Sequence, residues 1–170
     1  MIPVRIGPPD AEEVVWCEPV DASTATVRNI PRPESGFRFG DVVRHGDVPR
    51  GTRWLRGVEC PVFDAIERVV PSPHRTRVLV VEARGPRDLN ALLEPLSRAM
   101  AAVEDWTVNL AMRCAACDVG TAHPAHASRG PWMREHDIAF ASEDDVDDAL
   151  LAAWENGGDG RRVLQIFVPD

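Results

Sequence analysis

The sequence has no lysine and no tyrosine, and all 19 of its basic side chains, in 170 residues, are arginine. Without a lysine amine there is no Schiff-base chemistry, and none of the lysine contact that reaches the phosphates in a P-loop. Without a phenol, one class of general acid and base is missing. Five histidines, four cysteines and the carboxylates are left as titratable candidates. Codon bias in a GC-rich genome accounts for both gaps, because the same drift enriches Ala, Arg, Gly, Pro and Val. Cysteine is also sparse: four in 170 residues fall far below the density of a disulfide scaffold, so reduced thiols or a metal site are expected. No apolar run approaches the roughly 18 residues of a membrane span, and residues 1–10 lack the apolar stretch of a signal peptide, so the expected location is the cytoplasm, with no membrane partner. Positive charge is in deficit. The net charge of −8 argues against a general grip on phosphate backbones, and nucleic acid is not an expected partner. The motifs G-x-G-x-x-G, G-x-S-x-G and H-E-x-x-H do not occur.

What is present is the composition of a soluble globular chain, 44% apolar and 27% charged. The first seventy residues read as short strands between turn residues, over 1–6, 13–19, 24–30, 37–45 and 52–59. They are expected to form a small antiparallel sheet or barrel-like unit spanning 1–70. Pro71 and Pro73 then mark a stiff boundary. A second unit, 76–170, opens with the apolar run Val78 to Val81. Leu89, Leu92, Leu93, Leu96, Met100 and Val103 follow at steps of three and four, the spacing of one helix face, with Pro95 expected to kink or split that helix. Strands are expected over 106–112, 136–141 and 162–168. A second helix is expected to start at Ser142, with Asp145 completing a capping box, and to stop at Gly157 and Gly158. The order strand, helix, strand, strand, helix, strand predicts an α+β chain: a small antiparallel β unit followed by a ferredoxin-like βαββαβ unit.

The residues with the most chemistry fall between the two middle strands of that second unit. Cys114, Cys117, His123 and His126 are spaced C-x2-C-x5-H-x2-H. Two thiolates and two imidazoles make a tetrahedral zinc set, so a zinc-binding loop is expected over 114–126 with Zn2+ as the cofactor. Such a site supplies about 10–16 kcal/mol of apparent binding free energy in zinc-finger peptides, enough to order a loop that has no apolar face. A redox C-x-x-C pair and a chance cluster are the competing readings. Asp118, beside Cys117, works against thiolate formation and so against the first. Four protein ligands close the tetrahedron, which is the structural arrangement. A catalytic site would need one ligand to stand off and a base such as Glu135 or Asp118. His136 is a substitute for His123 or His126 on one reading and a satisfied strand histidine on the other. Elsewhere, Cys17 and Cys60 read as small buried hydrophobes, and Trp106, Trp132 and Trp154 as core, with a pocket lining as the alternative. The acidic group from Glu143 to Asp148 reads as a solvated helix start, and Arg50, Arg53, Arg56, Arg161 and Arg162 as surface cations.

Residues 15–19 (V-W-C-E-P), Asn29-Ile30-Pro31 and residues 39–43 (F-G-D-V-V) resemble, mainly over 13–60, a bacterial domain family of unknown function. In that family a small N-terminal β unit precedes a ferredoxin-like half. The resemblance implies architecture and transfers no catalytic residue. The function expected from the residues is a zinc-binding interaction or regulatory module, with Trp132 at the exposed edge of a surface for a protein or small-molecule partner. The alternative is a small biosynthetic metalloenzyme whose zinc is open to water or substrate.

Overall fold

A computed structural model describes residues 1–55, 57–107 and 132–169. They form two compact units, Met1–His74 and a second whose described residues are 75–107 and 132–169. In the first unit, period-two alternation sets the inner face of each strand. Strand β1 (Ile2–Ile6) buries Val4 and Ile6, β2 (Glu13–Pro19) buries Val15 and Cys17, β3 (Thr24–Val27) buries Ala25 and Val27, and β4 (Val42–His45) buries Val43. The register sets Val4 opposite Val15, Cys17 opposite Val27 and Ala25 opposite Val43, so the inward residues meet across every pair. Fully burying each Val or Ile contributes about 1.5–3 kcal/mol.

Strands β5 (Thr52–Leu55) and β6 (Val58–Pro61) form a separate two-stranded hairpin. Strand β7 (Phe63–Val70) then closes the barrel β1-β2-β3-β4-β7, antiparallel to β4 and parallel to β1, and closure leaves these five strands without a free edge. No strand was expected over 63–70. The apolar residues Ile66, Val69 and Val70 are exposed there, so hydrophobicity and burial do not alternate together and the strand carries no local signal. The strand expected over 37–45 shortens to β4, because Pro33–Ser35 forms a 3-10 turn and Gly40 turns the chain at φ +86°.

A buried carboxylate ties this turn down. The fully buried Asp41 accepts from the Ser72 amide at 2.7 Å on one oxygen, and from the Arg38 amide at 2.8 Å and the Arg68 guanidinium at 3.4 Å on the other. A buried charge survives only with partners of this kind. Gly40 is required beside it for a second reason: a Cβ there would lie 2.7 Å from Ser72 Oγ.

In the second unit, β8 (Arg75–Glu82), helix α1 (Pro86–Ala99), β9 (Ala102–Asp105), β10 (Glu135–Ser142), helix α2 (Asp148–Asn156) and β11 (Arg162–Phe167) build a four-stranded antiparallel sheet in the order β11-β8-β10-β9. Leu79, Val81, Ile138 and Phe140 pack with Leu89, Leu92 and Leu96 of α1 and with Leu151 and Trp154 of α2. Of the kink or split expected at Pro95, the split does not occur: α1 continues through Pro95.

The expected fold class is corrected. Of the described residues 43% are strand and 19% helix, with two helices, and the organising feature is a closed five-stranded barrel, so the chain is mostly β rather than α+β with a ferredoxin-like half. The physical reason is that the one strand expected over 52–59 is a two-stranded hairpin and β7 adds a strand that local pattern did not announce, while α2 is shorter than expected. Ser142 is the last residue of β10, paired with Arg75, and the N-cap is Asp147, whose side chain accepts from the Ala149 amide. Of the strand expected over 106–112, Trp106 and Thr107 are helical and 108–112 lie outside the described residues; the described strand before them is β9. Among the described residues no helix is long and apolar enough to cross a membrane.

Candidate functional site

The four expected zinc ligands Cys114, Cys117, His123 and His126, with Asp118, lie outside the described residues. The expected zinc-binding loop over 114–126 lies there too. The residues that flank this segment are described, at the end of β9 and the start of β10. Those strands are antiparallel neighbours, with Ile138 opposite Asp105. The two flanks are joined by side chains as well as by the ladder. Thr107 Oγ1 accepts from the Asp137 amide at 2.7 Å. His136, 2% exposed, holds Asp105 Oδ2 at 2.9 Å from Nδ1 and the Met133 carbonyl at 2.9 Å from Nε2.

Both ring nitrogens of His136 therefore face oxygen acceptors, and neither is directed at an open position. Ligating a metal through either nitrogen would break one of these two buried hydrogen bonds. The geometry thus makes His136 a satisfied strand histidine. Trp132 packs against it with ring centroids 4.7 Å apart and the rings tilted by 43°, and donates from its indole nitrogen to the Ala83 carbonyl at 3.0 Å, while the Ala83 amide donates to the Arg134 carbonyl at 2.8 Å. The indole is pinned to the end of β8 yet remains 37% exposed, beside an exposed Met133. An aromatic held on one side and open on the other suits an interface. Glu135, the carboxylate considered as a base, is exposed and sits opposite Glu82.

The other candidates are placed as follows. Cys17 is buried in the barrel core, where desolvation pushes its thiol up to about 12, so it carries no nucleophilic thiolate near neutral pH. Cys60 on β6 is partly exposed, with its thiol 3.6 Å from the Val58 carbonyl. Trp106 is partly buried, and Trp154 is core, its indole donating to the Asp88 carbonyl at 2.8 Å. The arginines are engaged with carboxylates: Arg50 with Asp64, Arg161 with Asp88 and Arg162 with Glu82. Arg56 lies outside the described residues. Within the acidic group, Asp147 caps α2 and Asp145 pairs with the buried Arg77. Among the described residues, no group of three or more His, Cys, Asp or Glu is placed to hold a metal ion. Sequence reasoning missed Asp105 and Thr107, whose partners lie about 30 residues away across the strand pair.

No protein-family model, curated protein or solved structure matches the chain.

Proposed function

We propose that this chain is a cytoplasmic zinc-binding interaction module in which Cys114, Cys117, His123 and His126 hold a structural ion. The observation that carries the reading is the spacing C-x2-C-x5-H-x2-H, which concentrates four zinc-competent side chains in thirteen residues. Four protein ligands fill a tetrahedron and leave no position for substrate, so the role is structural. Support comes from the flanks. The described chain on either side, up to Thr107 after β9 and from Trp132 before β10, is pinned by the His136–Asp105 and Thr107–Asp137 contacts, and rigid support is what a metal loop uses to present a surface. Trp132 and Met133 are exposed at that same strand end and contribute its apolar part.

Metal analysis of the freshly purified chain tests this. About one zinc per chain is expected, tetrahedral S2N2 by X-ray absorption, with stoichiometric binding lost in Cys114→Ser and His126→Ala. Less than about half an equivalent in carefully handled wild type overturns the reading. A zinc site with a water ligand in place of one imidazole would transfer it to metal-assisted hydrolysis.

A further inference from the structure

We propose that Glu155 guards the β11 edge, one of the two edges that the second unit's sheet has among the described residues, against strand pairing with another copy of this chain. Strand β11 ends the order β11-β8-β10-β9, and among the described residues β8 is the strand that pairs with it. Its apolar residues are open to solvent: Leu164 is 43% exposed, Ile166 40% and Phe167 36%, and Val168 beyond it 61%. An apolar strand at a sheet edge is a template for a further strand, because its outward amides and carbonyls are unpaired.

One of those amides is already taken. Val163 N–H donates to Glu155 Oε1 at 2.7 Å, and Glu155 reaches it from the last turn of α2, eight residues earlier. The carboxylate occupies the place where the carbonyl of an added strand would dock. It also sets a negative charge against the incoming backbone oxygens. Two further features interrupt the edge: the register shift between Val163 and Gln165, and Pro169, which has no amide to donate. The partner excluded is a second copy because a two-fold antiparallel pairing brings the same apolar residues, Leu164 and Ile166, together from both chains, which makes the edge complementary to itself.

Sedimentation equilibrium of the full chain over a concentration series tests the proposal, with native far-UV circular dichroism as the check on folding. Glu155→Ala is expected to strengthen self-association about tenfold or more, through the freed donor and the lost charge. Glu155→Gln, whose carboxamide oxygen still accepts from Val163 but carries no charge, is expected to fall between wild type and Glu155→Ala. Adding Ile166→Lys to Glu155→Ala should remove the gain. Should Glu155→Ala fail to fold, Glu155→Asp, one methylene too short to reach, is read in its place. The proposal is overturned if the folded variant associates no more than wild type, or if the gain survives Ile166→Lys. It is also overturned if wild type is itself a dimer that Ile166→Lys dissociates.

Discussion

Asp41 shows how much a single side chain can hold. Its two oxygens take three donors, joining the turn before β4 to Arg68 on β7 and to the chain that leaves β7 at Ser72. Asp41→Ala leaves the Arg38 and Ser72 amides without an acceptor in a buried site, and a loss of about 2–5 kcal/mol is expected from urea unfolding. Asp41→Asn keeps one accepting oxygen and should lose less; equal losses would show that the hydrogen bonds are not the cause. None of this was legible in the sequence, where Asp41 reads as part of a turn-and-strand run. Its partners lie up to 31 positions away, and spacing along a chain says nothing about a donor brought in by folding. His136 is the converse case. A strand histidine was one of two readings of it, and the fold supplies what decides between them: two oxygen acceptors, one from Asp105 and one from the Met133 backbone.

Among the elements, α1 was the most legible. Leu89, Leu92 and Leu96 recur at helical spacing and all three are buried against the sheet, a pattern that needs no knowledge of the partner. The start of α2 was misplaced by five residues. Ser142 and Asp145 imitate a capping box, but the hydroxyl of Ser142 is already committed to the Arg77 guanidinium and the Asp144 carbonyl. The cap that forms is Asp147. Asp147→Ala should therefore destabilise the chain by about 0.5–2 kcal/mol, while Glu143→Ala, before the cap and exposed, should change stability by less than about 0.5 kcal/mol. Thermal unfolding of the two variants checks this, and a larger loss at Glu143 would return the helix start to the earlier position. Strand β7 carried no signal for a related reason: its outer residues are apolar and exposed at once, and only pairing with β1 and β4 makes them a strand.

For the molecule as a whole, two groups contribute pH-dependent stability, one at the acid end and one at the alkaline end. Hydrogen bonds from the Ser23 amide and from Thr24 hold the Asp21 carboxyl down at about 2, from 3.8. Asp21 is ionised in both states above 3.8, so its stabilisation is complete there and is lost as pH falls toward about 2, where the unfolded chain takes up a proton first. Cys17 acts at the other end. Its stabilisation is complete below 9.0 and is lost as pH rises toward about 12, because the unfolded thiol ionises while the buried one stays neutral. Urea midpoints measured across pH check both contributions. Asp21→Asn should flatten part of the acid fall and Cys17→Ala part of the alkaline one, and variants that track wild type at both ends would refute the assignment. The residue order alone excludes amine chemistry, sets the helical spacing of α1, the alternating strands β1 to β3 and the metal-ligand spacing of Cys114 to His126. Those are properties of neighbours along the chain. Closure of the barrel by β7, the mostly-β class, the partners of Asp41 and His136 and the free edge at β11 depend on which distant segments pair, and a period-two or period-3.6 pattern specifies the face a residue shows without naming the segment it meets.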